Sequence, residues 1–142
     1  MPRIRPIAIC IVRQADRILV FEGRDQVKQQ TFYRPLGGGI EFGETGMQAI
    51  AREIKEELNA DLIDVRYLFA LENIFTCNGQ AGHEIVLVYS ASFADPRFSE
   101  QAEITGHEDN GATFRAFWKP LSDFGPDGAP LYPDGLLERL LP

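Results

Sequence analysis

Three carboxylates, Glu53, Glu56 and Glu57, stand at i, i+3 and i+4 within residues 37–60, GGGIEFGETGMQAIAREIKEELNA. In a helix these spacings make the acids neighbours, and like charges then cost about 0.2–0.5 kcal/mol per pair. They also fall in the C-terminal half of that helix, where the macrodipole disfavours anions. A divalent cation reverses the sign of both costs. Such an ion takes oxygen ligands. It can bridge phosphate oxygens, neutralise developing negative charge and lower the pKa of an attacking water. Just upstream, Gly37, Gly38 and Gly39 let the backbone approach a metal or a phosphate closely. Arg24, Lys28 and Arg34 flank the glycines and could meet phosphates, although exposed basic residues are solvated by default.

The elements that must position these groups are marked to different degrees. Thr45 and Gln48 have the spacing of a capping box. Met47, Ile50, Ala51, Ile54 and Leu58 follow the 3.6-residue period. The spacing predicts a helix over Gly46–Leu58, with those five residues toward the core and the three glutamates on the other side. Asn59 stands where a left-handed residue ends a helix. Ahead of the helix, the glycines are expected to form a turn.

Residues 5–13 and 17–22 read as a hairpin around Gln14-Ala15-Asp16. Residues 24–30 read as a loop and 31–36 as a short strand. Two further strands are expected at 64–76 and 83–93, joined by the Gly-rich stretch 78–82. Residues 95–111 read as a polar loop and 113–118 as a last strand. Leucines in helical spacing predict a closing helix over 133–141. Strands mixed with two helices imply an α/β layered domain with a helix on each side of a sheet.

The chain has 142 residues, 44% of them hydrophobic, which fits one domain spanning 1–142 with a real core. No apolar run approaches the roughly 20 residues that span a bilayer. The start MPRIRPIAICIV puts basic residues before an apolar stretch, but Arg13 ends that stretch and no small-residue cleavage site follows. It reads as a first strand. Cys10 and Cys77 make neither a disulfide framework nor a metal-ligand spacing, so a reduced, cytoplasmic setting is expected. A net charge of −7 argues against a nucleic-acid polymer or an anionic membrane as partner. It leaves room for a small phosphorylated ligand, because a bound metal inverts the local field.

From Gly38 the chain runs through five residues to Glu44, then seven more, then Arg52-Glu53-Ile54-Lys55-Glu56-Glu57. This pattern resembles the signature box of the Nudix hydrolase family. Asn59 stands where that family has Gly, Ala60 where it has a bulky aliphatic, and Pro35-Leu36-Gly37-Gly38 where it has Pro-Gly-Gly. The resemblance implies a Nudix-type α/β/α sandwich with a mixed β-sheet between helices. It implies Mg²⁺, or Mn²⁺, held by Glu53, Glu56, Glu57 and a backbone carbonyl near Gly38. Arg52 would orient the carboxylates by a salt bridge, and Glu44 would support the loop–helix geometry.

The implied reaction is hydrolysis of a nucleoside diphosphate linked to another moiety, by water attack on phosphorus. Catalysis would fall to Glu53, Glu57, Arg52 and a general base. The base is Glu53 itself or a later-loop acid, Glu100, Glu103 or Glu108, with Glu108 favoured because it lies nearest the last strand. Substrate contacts fall to Gly37, Gly38, Gly39, Arg24 and Arg34. Phe32, Tyr33, Phe69 and Phe75 could stack on a base or belong to the core. A homodimer is also implied. The leading substrates are a nucleoside triphosphate or a small nucleotide conjugate. Two other functions fit the scaffold. A non-catalytic nucleotide sensor typically loses box acids, and a diphosphate isomerase needs an active-site cysteine.

Overall fold

Seven strands form one mixed sheet in the computed structural model, which describes residues 2–142. They are β1 (Arg5–Gln14), β2 (Arg17–Asp25), β3 (Gln30–Gly39), β4 (Leu62–Cys77), β5 (Gln80–Phe93), β6 (Glu103–His107) and β7 (Thr113–Pro120). The spatial order is β4-β5-β1-β3-β2-β7-β6. The helices are α1 (Gly46–Leu58), α2 (Arg97–Glu100) and α3 (Leu136–Leu140). Among the described residues, no helix is long and apolar enough to cross a membrane.

β1 is the spine of the sheet. It pairs in parallel with β5, from Arg5↔Glu84 to Val12↔Ala91, and antiparallel with β3, from Ile7↔Gly39 to Cys10↔Leu36. Its side chains alternate between two buried clusters, as the two-residue period of a strand dictates. Ala8, Cys10 and Val12 meet Ile50, Ile54 and Leu58 of α1 on one face. Ile7, Ile9 and Ile11 meet Leu121, Phe124, Leu131, Leu136 and Leu140 on the other. The expected α/β/α sandwich is therefore present, with a thin second layer. The closing helix is shorter than its leucine pattern suggests, because Gly135 at φ 89° interrupts the chain just before Leu136.

α1 has the predicted bounds and caps. Thr45 Oγ1 accepts from the Gln48 N–H at 3.1 Å, and Gln48 Oε1 accepts from the Thr45 N–H at 2.8 Å. Asn59 ends the helix at φ 53°, ψ 39°. Its buried face is turned from the expected one. Met47 and Ala51 are exposed, while Gly46 and Ala49 are buried with Ile50, Ile54 and Leu58. At about 100° per residue, Glu57 then lies within roughly 20° of Ile50 and Glu53 within roughly 60°. Two of the three glutamates thus border the buried face rather than oppose it.

Other boundaries move for local reasons. Gly37–Gly39 are not a turn but the end of β3, hydrogen-bonded to β1. The 24–30 loop contracts, because β2 runs to Asp25 and β3 begins at Gln30. The 78–82 connection contracts to Asn78-Gly79, with φ of 53° and 78°, the two-residue turn that suits strand twist. The 95–111 loop contains β6. Only Ile104 and Gly106 of β6 are buried, too few apolar side chains to reveal a strand by pattern.

The burial of α1 predicts unequal costs for two apolar truncations. Ile50→Ala should destabilise by about 2–5 kcal/mol, whereas Met47→Ala should stay within about 0.5 kcal/mol. Urea denaturation midpoints read both, and equal losses would contradict this helix orientation.

Candidate functional site

Packing α1 against β3 brings its acids under the glycine backbone. A Cβ built on Gly38 would sit 2.5 Å from Glu53 Cδ, so only glycine allows the strand and that carboxylate their present approach. Gly37 is at φ 155° and would meet the β1 backbone at Ala8 if it carried a side chain. Beside Gly37 a cleft opens, lined by Glu53, Glu57, Glu108, Asp109 and Asn110.

Arg52 organises the charges around this cleft. Its Nε donates to Glu44 Oε2 at 3.0 Å and an Nη to Glu44 Oε1 at 2.7 Å, a two-pronged charge-assisted pair. The same nitrogen donates to the Gly39 carbonyl at 3.0 Å, and the other Nη donates to Glu53 Oε1 at 2.9 Å. Glu56 is reached at 3.4 Å and Glu41 at 3.7 Å. Glu44 also accepts the Glu41 N–H at 2.9 Å. The Arg52 hydrogen bonds, followed by that backbone donor, hold the Glu44 carboxyl down to about 2. Hydrogen bonding to Glu44 correspondingly raises the pKa of Arg52.

Glu57 has the opposite environment. Its Oε1 is buried and finds no hydrogen-bond partner among the described residues. Burial first, then the charge of Glu53 and a hydrogen bond with it, then the charges of Glu108 and Asp109, push its carboxyl up to about 8. A buried acceptor without a donor costs about 1–3 kcal/mol, more when charged. A cation at that oxygen would remove this cost. Among the described residues, no group of three or more His, Cys, Asp or Glu side chains is arranged to hold a metal ion by itself, so an ion here would need backbone or water oxygens as well. What is present fits a hard divalent ion that keeps several waters: an all-oxygen set of glutamates with one unmet oxygen, beside half-buried glycine backbone.

The structure brings together Glu53, Glu57, Glu108 and Gly37 in one cleft, with Gly38 against Glu53 and Gly39 tied to Arg52. Glu56 is more exposed and turns toward Arg52 instead of lining the cleft. Arg24 is not brought to it. It pairs with Thr31 across β2–β3, six residues before Gly37, about 20 Å at roughly 3.3 Å per residue. There it donates to Thr31 Oγ1 and Gln29 Oε1. Arg34 lies nearer but faces a second cleft, with Glu84 at 3.8 Å. Of the other late acids, Glu100 is exposed on α2 and Glu103 pairs with Arg115 at 3.6 Å. Asp109, Asn110 and Glu41 were missed. Asp109-Asn110-Gly111 is a turn signature between β6 and β7, and reading β6 as a strand would have placed that hairpin tip beside α1.

Comparison with known proteins places this geometry. A family model described as "NUDIX domain" matches residues 2–140. The NAD-capped RNA hydrolase NudC of Mycobacterium tuberculosis (strain ATCC 25618 / H37Rv) is 31% identical over 125 residues, covering 86% of this chain and 39% of that protein. The chain thus spans about two-fifths of the length of these curated relatives. Among solved structures, a MutT NUDIX hydrolase from Burkholderia pseudomallei superposes with a TM-score of 0.66 at 24% identity, over 98% of this chain and 99% of that one. A NUDIX hydrolase from Nitrosomonas europaea gives 0.59 at 20% identity, over 84% and 74%.

Glu57 makes stability pH-dependent in the metal-free protein. A carboxyl raised from 4.5 to about 8 stabilises the fold in its protonated form. That contribution is complete below the unfolded value and is lost as pH rises through the folded one. Glu57→Gln should melt close to the parent protein near about pH 5 and increasingly above it toward about pH 9. A difference that shrinks with pH in thermal melts contradicts the assignment.

Proposed function

The chain belongs to the Nudix family, and from that premise we propose that it hydrolyses a nucleoside diphosphate linked to another moiety, using Mg²⁺ or, in its place, Mn²⁺. The observation that carries this reading is the unmet buried oxygen of Glu57, set beside Glu53 under a backbone stripped of side chains. Glu53 and Glu57 would hold the ion together with backbone at Gly38, and Glu56 would join from the rim. Once bound, such an ion neutralises charge developing on the phosphates and activates water at neutral pH.

The chain's own residues do the remaining work. Arg52 occupies one oxygen of Glu53 and so fixes the direction of the other. Glu44, ionised at any physiological pH, anchors Arg52 and ties the β3–α1 loop to the helix. Gly37, Gly38 and Gly39 leave a flat strand end against which phosphates can lie. Glu108 shares the cleft with Glu53 and Glu57, and we assign it the role of base, taking a proton from the attacking water.

The curated relatives are named NAD-capped RNA hydrolases. That supports a nucleotide conjugate ahead of a nucleoside triphosphate for this chain. With a net charge of −7, a long nucleic-acid partner is disfavoured. Free Cys10 and Cys77 suit a reducing, cytoplasmic setting. Cys10 is buried, its thiol pushed up to about 12, which leaves no nucleophile for the isomerase reading on β1.

Purified protein with Mg²⁺ should release a nucleoside monophosphate from at least one member of a panel of nucleotides and dinucleotide conjugates. Glu57→Gln should lower kcat/KM on that substrate by about 10²-fold or more, and Glu108→Gln should lower kcat by about 10²–10⁴-fold. Unchanged turnover in Glu57→Gln sinks the metal assignment. Absence of turnover across the panel, with binding retained, favours the sensor.

A further inference from the structure

The acidic cleft has no cation of its own to meet a phosphate. Arg52 is spent on Glu44, Glu53 and the Gly39 carbonyl. The charged side chains that line the cleft, Glu53, Glu57, Glu108 and Asp109, are all acids. A diphosphate adds its negative charge to theirs, and like charges at close range repel. One divalent ion does not offset both. Arg24 and Arg34 flank the glycines in sequence but face elsewhere.

Positive charge stands on the other side of Glu53. A third cleft, of about 300 Å³, runs from Glu53 and Gly39 to Arg3 and Arg5. Its second acid, Glu41, lies 3.7 Å from Arg52. Arg5 reaches over the bare end of β3, where a Cβ built on Gly39 would stand 3.7 Å from its Nη. Behind Arg5 is Glu84, buried on β5 and opposite Arg5 in the parallel register. That ion pair is 3.8 Å long, so Glu84 steers the guanidinium without accepting a hydrogen bond from it. The Arg5 side chain is 53% open to solvent, and Arg3 beside it is exposed. A planar fork with its donors unspent matches the oxygens of a phosphate.

We infer that Arg5 and Arg3 bind the substrate phosphate farther from Glu57, and that Glu84 positions Arg5 for it. The inference rests on the hydrolase reading for the word substrate and adds which residues set its charge requirement. Glu53 borders both clefts, so a diphosphate lies across it, one phosphate beside the acids and the next over Gly39. A ligand with one phosphate reaches only one of the two clefts. Arg5 and Arg3 thus select for two adjacent phosphates. Glu84 touches no substrate and acts through Arg5, whose charge it holds at the strand end.

Titration calorimetry with methylenediphosphonate, a diphosphate analogue that water does not cleave, tests this in the presence of Mg²⁺. The parent protein should bind it, and Arg5→Gln should weaken binding by about tenfold or more. Arg5→Lys should recover part of that loss, because the charge returns without the fork. Arg3→Gln, on an exposed segment outside the sheet, should weaken binding by about threefold with an unchanged melting temperature. Added salt should weaken binding to the parent more steeply than to Arg5→Gln, a difference that a merely structural role would not produce. Glu84→Gln should shift binding in the same direction as Arg5→Gln, and its salt dependence should fall between the two. On any substrate that is turned over, Arg5→Gln should raise KM by about tenfold and leave kcat within about threefold. No binding to the parent, or equal binding to parent and Arg5→Gln, overturns the inference. Turnover with equal binding overturns the arginine assignment alone. Arginine-dependent binding without turnover on any substrate overturns the catalytic reading alone.

Discussion

The approach of α1 to the end of β3 is the constraint on which the site depends. A methyl group at Gly38 would occupy the space of the Glu53 carboxylate. With hydrogen there, helix and strand close to contact, and Arg52 locks them by gripping Glu44, Glu53 and the Gly39 carbonyl at once. Arginine suits this task because its planar fork can serve several acceptors in fixed directions, which a lysine ammonium cannot. Arg52 therefore ties the loop, the strand end and the helix together, and Glu53 and Glu57 inherit their positions from that piece.

That arrangement sets two glutamates, thirteen residues apart, in opposite environments. Glu44 is surrounded by donors and stays ionised, while Glu57 is buried among other acids and resists ionisation. The fold spends stability to keep Glu57 where protein donors do not reach it. A helix needing only to be stable would put an apolar residue there, next to Ile50 and Ile54. Such local conflict between stability and position is the usual mark of a functional site.

The sequence made α1 legible almost to the residue because capping and periodicity are local, and both are encoded in side chains that act over one turn. Thr45, Gln48 and Asn59 behave as read. The rotation of its buried face was less legible. Gly46 and Ala49 are small enough to be buried yet carry little hydrophobic signal, whereas Met47 looks apolar and is exposed. The glycine run misled for a related reason, since a strand that must touch a carboxylate and a turn that must bend both demand missing side chains. β6 was hidden because a short edge strand under an aromatic ring needs only one isoleucine. Likewise the second cleft is assembled by two distant hairpins, and no window of sequence contains it. The family pattern singled out three acids on one helix, of which Glu53 and Glu57 line the cleft and Glu56 does not, and it could not place Arg24 or Arg34 because their surroundings come from elsewhere.

The central place of β1 has a consequence for how the molecule comes into being. Its parallel partner, β5, lies more than seventy residues downstream, from Glu84 to Ala91. Parallel pairing at such separation must close a long loop before any contact rewards it. During synthesis, the first strand and α1 are therefore complete well before one of the two neighbours that bury them. Until β5 emerges, Ala8, Cys10 and Val12 form an apolar ribbon with one open edge. The sheet behind the cleft is thus closed late, by a strand that contributes none of the cleft acids.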